Sequence, residues 1–103
     1  MTEVIDCKEF SSKGIAASEL LSPKSCELCE IVATAGGNTG FVRIYNGENA
    51  NGELKMTIKV FSNQSRQIGF HHHVYLRRGL YIEFVENIDF CFVQWKVRPS
   101  NEG

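Results

Sequence analysis

The sequence predicts an all-β protein, an antiparallel β-sandwich of jelly-roll-like type, and three observations carry that expectation. Apolar and polar residues alternate with period two over Phe41 to Tyr45 and over Leu54 to Val60. Glycine and asparagine pairs (Gly36-Gly37, Asn46-Gly47, Asn51-Gly52) and Gly79 punctuate the alternating runs. Only Ala16 to Leu21 has a helix-like pattern, and Pro23 stops it before a second turn. Short period-two segments between turn residues specify a twisted antiparallel sheet and supply no helix on which to mount a cofactor.

In chain order, the expected strands are Glu3 to Lys8, a short piece within Gly14 to Leu20, Leu28 to Ala35, Phe41 to Tyr45, Leu54 to Phe61, Arg66 to Phe70, His73 to Leu76, Leu80 to Val85 and Asp89 to Val97. Seven or more strands at short spacing, with no helices between them, favour a sandwich or jelly roll over a parallel sheet. At 103 residues there is room for one domain, which buries roughly 65% of its unfolded surface. Residues 1–103 are therefore read as a single β-sandwich domain, with 1–10 an N-terminal edge strand or arm and 98–103 a flexible tail.

The clearest face assignment is in the strand from Leu54, where Leu54, Met56, Ile58 and Val60 alternate with Lys55, Thr57 and Lys59. One face is core and the other is wet. The last two strands are read as a hairpin. A two-residue turn at Glu86-Asn87 puts Leu80, Ile82 and Phe84 on the same face as Cys91, Val93, Trp95 and Val97; a three-residue turn groups them with Phe90 and Phe92 instead. The first register is preferred because it leaves Gln94 and Lys96 outside. Tyr81, Val85, Phe90 and Phe92 then form an outward apolar patch, expected to be a subunit contact or partner surface. The alternative is that the other sheet or the N-terminal segment packs over it.

A net charge of −1, with scattered basic residues, lacks the field that draws proteins onto nucleic acid or anionic lipid. No nucleic-acid or membrane partner is expected. Acids near the start, at Glu3 and Asp6, stand where a signal peptide needs a basic region followed by an apolar run, so synthesis in a cytoplasm is expected. Cys7, Cys26, Cys29 and Cys91 should then be reduced thiols.

Three constellations bear on chemistry. Cys26 and Cys29 have the spacing of half a zinc site, but no second pair with that spacing exists, and Cys7, Cys91 or the histidine run could complete it only through the fold; buried thiols are the favoured reading, ahead of metal and of a redox pair, which would want a helix N-terminus. His71-His72-His73 resembles a metal tract, yet in a strand only His71 and His73 share a side. Exposed imidazoles on a loop or strand edge are preferred. Arg77-Arg78 before Gly79 reads as a solvated turn rather than a phosphate clamp. No nucleophile sits in a strand-turn-helix elbow and no glycine loop leads into a helix. No enzyme activity, catalytic residue, metal or cofactor is expected.

Ser11-Ser12 with Gly14-Ile15, then Gly36-Gly37, Val42 with Ile44-Tyr45-Asn46-Gly47, Gly52 with Leu54, and Gly79-Leu80-Tyr81-Ile82 followed by Cys91, Val93 and Trp95 form one ordered pattern. It resembles a group of small β-sandwich proteins encoded among the virion genes of tailed bacteriophages. There the pattern runs as a Ser-Ser-Gly opening, a strand ending in Thr-Gly-Gly, a Val-x-Leu-Tyr-Asp-Gly strand and turn, and a Gly-Leu-Tyr-Val strand near the end. The resemblance implies a non-enzymatic virion structural protein, foremost a capsid decoration or cement subunit. Its implied partners are other virion proteins, the major capsid protein or head-tail proteins, with a homo-oligomer expected and the virion as location. This chain departs from the pattern at Ala35-Gly36-Gly37 and in the cysteines and His71-His72-His73, which replace a Gly/Pro-rich stretch. The competing reading is a carbohydrate- or receptor-binding sandwich of a tail or surface assembly, with Tyr45, Tyr75, Tyr81 and Trp95 as a stacking platform.

Overall fold

A computed structural model of the chain describes residues 10–98. The expected strand from Glu3 to Lys8, most of the N-terminal arm, the tail beyond residue 98, and Cys7 lie outside the described residues. Within them run eight strands: β1 (Ser11–Ile15), β2 (Glu19–Ser22), β3 (Cys26–Ala35), β4 (Gly40–Asn46), β5 (Glu53–Val60), β6 (Ser65–Leu76), β7 (Leu80–Glu86) and β8 (Ile88–Val97).

These form two four-stranded antiparallel sheets, the first ordered β1-β8-β3-β6 and the second β2-β7-β4-β5. The order follows from one long ribbon folded in half at the β4–β5 turn. In that ribbon β1 pairs with β8, β2 with β7, β3 with β6 and β4 with β5. Rolling it up adds the β3–β8 and β4–β7 pairings and closes a jelly roll. Every connection except β4–β5 passes from one sheet to the other.

The expected β7–β8 hairpin is therefore not formed. β7 belongs to the second sheet and β8 to the first, and the chain crosses between them at Glu86 to Ile88, with Asn87 left-handed at φ 52°. Gly40 makes this corner possible: a Cβ there would lie 2.6 Å from the Asn87 carbonyl oxygen and 2.8 Å from that of Glu86. The corner is further held by Gly36, whose amide donates to the Asn87 carbonyl, and by Asn63, whose amide donates to Gly36. The inward residues are still those of the preferred register. Leu80, Ile82, Cys91 and Val93 are fully buried, Trp95 is buried and Phe84 packs against the core, while Val97 is exposed near the strand end. Each strand's alternation reports its inner face without reporting which sheet it joins.

The core between the sheets is built from Leu28, Ile31, Val42, Ile44, Val60, Leu76 and these residues. Three departures from simple alternation matter. The β4–β5 ladder slips between Ile44, opposite Met56, and Tyr45, opposite Leu54. That bulge turns Leu54 outward with Tyr45, so Leu54 is exposed while Ile58 and Val60 are core. The helix-like run ends in a strand, since Leu20 and Ser22 pair with β7. Finally, the two strands expected around the histidines are one strand, β6. Between Gly69, opposite Glu30, and Val74, opposite Leu28, four residues of β6 face the single residue Cys29. The histidine run is thus a bulge on an edge strand, a feature that hinders pairing with foreign strands.

Candidate functional site

Because β7 and β8 lie in different sheets, the four residues of the expected patch divide into two pairs. Phe90 and Phe92 stand on the outer face of the first sheet, with Tyr81 and Val85 on the outer face of the second. Phe90, Phe92 and Val85 are exposed, and Tyr81 is half-buried. No single surface of four residues exists.

The first sheet presents the more open apolar area. β8 is a central strand there, flanked by β1 and β3. Phe92 lies opposite Val32 on β3 and Gly14 on β1; Phe90 lies opposite Thr34. Phe90 leans over Gly14, where an added Cβ would come within 2.4 Å of the ring tip. At the far end of this face the row turns polar. Glu27 accepts from Arg98 at 2.9 Å, and the Lys96 ammonium lies 5.9 Å from the centre of the Phe10 ring. Val32 and Gly14 were missed in the sequence. The signal was Val32 itself, out of phase with the buried Ile31 and Ala33.

On the second sheet's outer face Tyr45 is covered by its neighbours, while Leu54 and Val85 stay exposed. Leu20, Tyr81, Tyr45 and Leu54 form one row across its four strands. The Tyr45 and Tyr81 rings are 6.1 Å apart, and the Tyr45 hydroxyl donates to Glu83 at 2.8 Å. That hydrogen bond, and then burial, push the phenol above its ordinary value. The four rings of the sugar-platform reading do not meet: Tyr45 and Tyr81 are neighbours, Tyr75 is on the first sheet and Trp95 is core.

No protein-family model matches the chain, and no curated protein matches it either.

The cysteine pair is split by the bulge at Cys29. Cys26 points into the core and Cys29 meets the histidine bulge, with Sγ 3.6 Å from His73 Nδ1. Glu27 Oε1 is 3.1 Å from that same Nδ1. A nucleophile–base–carboxylate relay needs both ring nitrogens, one facing each partner; here thiol and carboxylate converge on one. Burial and then Glu27 push the Cys29 thiol up to about 11. Burial, opposed by a Ser22 hydrogen bond, sends Cys26 to about 11, and burial sends Cys91 to about 12. All three stay protonated at neutral pH, when thiolate chemistry needs the opposite shift. Among the described residues no group of three His, Cys, Asp or Glu side chains is arranged to hold a metal ion. His71 and His72 are exposed, with ring centres 4.7 Å apart.

Proposed function

We propose that the protein is a non-enzymatic structural subunit of a phage particle, a capsid decoration or cement protein that seats the outer face of its first sheet on another virion protein. The observation that carries this reading is the pair Phe90 and Phe92, left exposed on a central strand with Val32 beside them. Contiguous exposed apolar area on a small domain is a recurrent mark of contact surfaces. A jelly roll suits the role, since this architecture builds capsid domains, although it also builds lectins and by itself selects neither. The virion context comes from the sequence resemblance; the attachment face comes from the exposure of β8.

The test pairs two neighbouring residues. Phe92→Ser is expected to cost the isolated chain about 1 kcal/mol or less, while removing a ring whose full burial at a contact is worth about 1.5 to 3 kcal/mol. Val93→Ser, which puts a hydroxyl into the core, is expected to cost about 3 kcal/mol. Melting temperature and particle occupancy are measured for both variants in purified particles of the encoding phage. Phe92→Ser should keep the fold and lose occupancy. A chain that does not co-purify with particles, or Phe92→Ser particles at full occupancy, would sink the reading.

A further inference from the structure

At the turn end of the sandwich lies an open cleft of about 450 Å³, lined by Asn46, Glu53, Lys55, Tyr75, Arg77 and Arg78. It gathers the end of β4, the start of β5, the end of β6 and the β6–β7 turn. Three cations face one carboxylate, a surplus of two positive charges in a chain whose net charge is −1. Like charges brought together in a cleft repel one another, and an anion entering it relieves that repulsion.

The floor is preorganised. Asn46 Oδ1 accepts from the Arg78 amide at 2.8 Å, and its Nδ2 donates to Glu53 Oε1 at 3.1 Å. Gly79, at φ 130°, accepts from the Gly47 amide at 3.2 Å, and a Cβ on it would lie 2.6 Å from the Ser22 carbonyl. The hydrogen bond from Asn46, then Lys55, hold the Glu53 carboxyl below its ordinary value. Glu53 therefore stays ionised, engaged with Asn46 and 3.9 Å from the Lys55 ammonium, which leaves Arg77 and Arg78 as the excess cations. Neither the Arg77 nor the Arg78 guanidinium is held in a hydrogen bond or salt bridge among the described residues. The Tyr75 hydroxyl accepts from Ser25 at 3.2 Å, which leaves its own proton to donate.

We propose that this cleft binds a phosphate dianion, as a terminal phosphate group, through Arg77, Arg78, Lys55 and the Tyr75 hydroxyl. A phosphate monoester carries a charge of about −1.5 to −2 at neutral pH, matching the surplus of two. Guanidinium forks suit tetrahedral oxyanions, with two N–H groups presented in parallel to two oxygens. A carboxylate offers one charge and a phosphodiester one per group, so both fit the charge less well. None of these residues belongs to the proposed attachment face on the first sheet.

The test is an amide-shift titration of the full chain by NMR with inorganic phosphate, glycerol phosphate, acetate and a short single-stranded oligonucleotide lacking terminal phosphates, at constant ionic strength. The two phosphates should shift the Asn46, Tyr75 and Arg78 amides saturably, and acetate and the oligonucleotide should bind at least about tenfold more weakly. Arg77→Gln and Arg78→Gln should each weaken phosphate about tenfold or more with an unchanged circular dichroism spectrum. Arg43→Gln, which removes a cation outside the cleft, should leave affinity unchanged. No saturable phosphate shift, an oligonucleotide that binds as well, or an Arg43→Gln loss equal to the cleft variants would each overturn the proposal.

Discussion

Tyr45 and Phe92 hold corresponding positions in the two sheets. Each is an aromatic residue on the outer face of a central strand, yet Tyr45 is 6% exposed and Phe92 42%. The difference lies in their neighbours. Tyr45 sits between Tyr81 and Leu54, and its hydroxyl is bound by Glu83. Phe92 sits between Val32 and a glycine. An outer aromatic is covered when the strands on both sides supply large side chains, and the second sheet obtains one of these, Leu54, only through a bulge. Sheet position alone does not make a surface; the size of the flanking residues does.

The largest expected effect tests that contrast directly. Tyr45→Ala should lower the unfolding free energy by about 3 kcal/mol, and Phe92→Ala by about 1 kcal/mol or less, as measured by urea denaturation. Equal losses would break the comparison, since they would mean that the two rings are equally supported. Next comes the bulge. Leu54→Ser should cost about 1 kcal/mol, whereas Ile58→Ser, on the same strand but buried, should cost about 3 kcal/mol. Similar values for both would place Leu54 back in the core and remove the reason Tyr45 is covered.

The cysteines sharpen the contrast at high pH. Cys26, Cys29 and Cys91 all lie in the first sheet, on β3 and β8. Burial raises these thiols from 9.0 to about 11, 11 and 12. The unfolded chain then ionises first, so the stability present below about pH 9 declines as pH rises through 9 toward 12. The melting temperature is expected to fall across that interval. Cys91→Ala, less stable at neutral pH because it leaves a cavity, should fall less steeply. Parallel curves for the two proteins would assign the alkaline loss to other groups.

Much of the fold was legible in alternation and turn residues: the strands from Gly40, Glu53, Leu80 and Ile88, and the inward residues of the last three apart from Leu54 and Val97, which are exposed. The pairing of β7 was not. A short turn at Glu86-Asn87 has the same local appearance whether it closes a hairpin or crosses between sheets, and the space that decides between them is provided by Gly40, far away in sequence. The bulges were equally hidden, because the residue that breaks the alternation is recognisable only opposite its partner. For Leu54 that partner is Tyr45, and for the histidine run it is Cys29. The exposed rings of the candidate site were read correctly strand by strand as outward-facing, and wrongly as one patch, for the same reason. The cleft was invisible in sequence. Arg77-Arg78 becomes a site only once the ribbon folds back and sets Lys55 and Tyr75 beside it.

The smallest expected effect concerns the glycine that leaves the first sheet open. Gly14 carries no left-handed strain, and what a Cβ would meet is the tip of the Phe90 ring at 2.4 Å. That ring is itself 45% exposed, so it can swing outward without disturbing the core. Replacing glycine by alanine in a strand also reduces the freedom of the unfolded chain, a gain of about 0.4 to 1 kcal/mol where the backbone allows it. Gly14→Ala should therefore change stability by no more than about 0.5 kcal/mol, the ring displacement offsetting the entropic gain, while shifting the Phe90 ring resonances. Loss of particle occupancy with stability retained would sharpen the comparison, since it would show that a glycine keeps this face open and shaped for a partner. A loss of more than about 2 kcal/mol would break it, because Phe90 would then be locked in place and the first sheet's outer face would be as tightly packed as the second's.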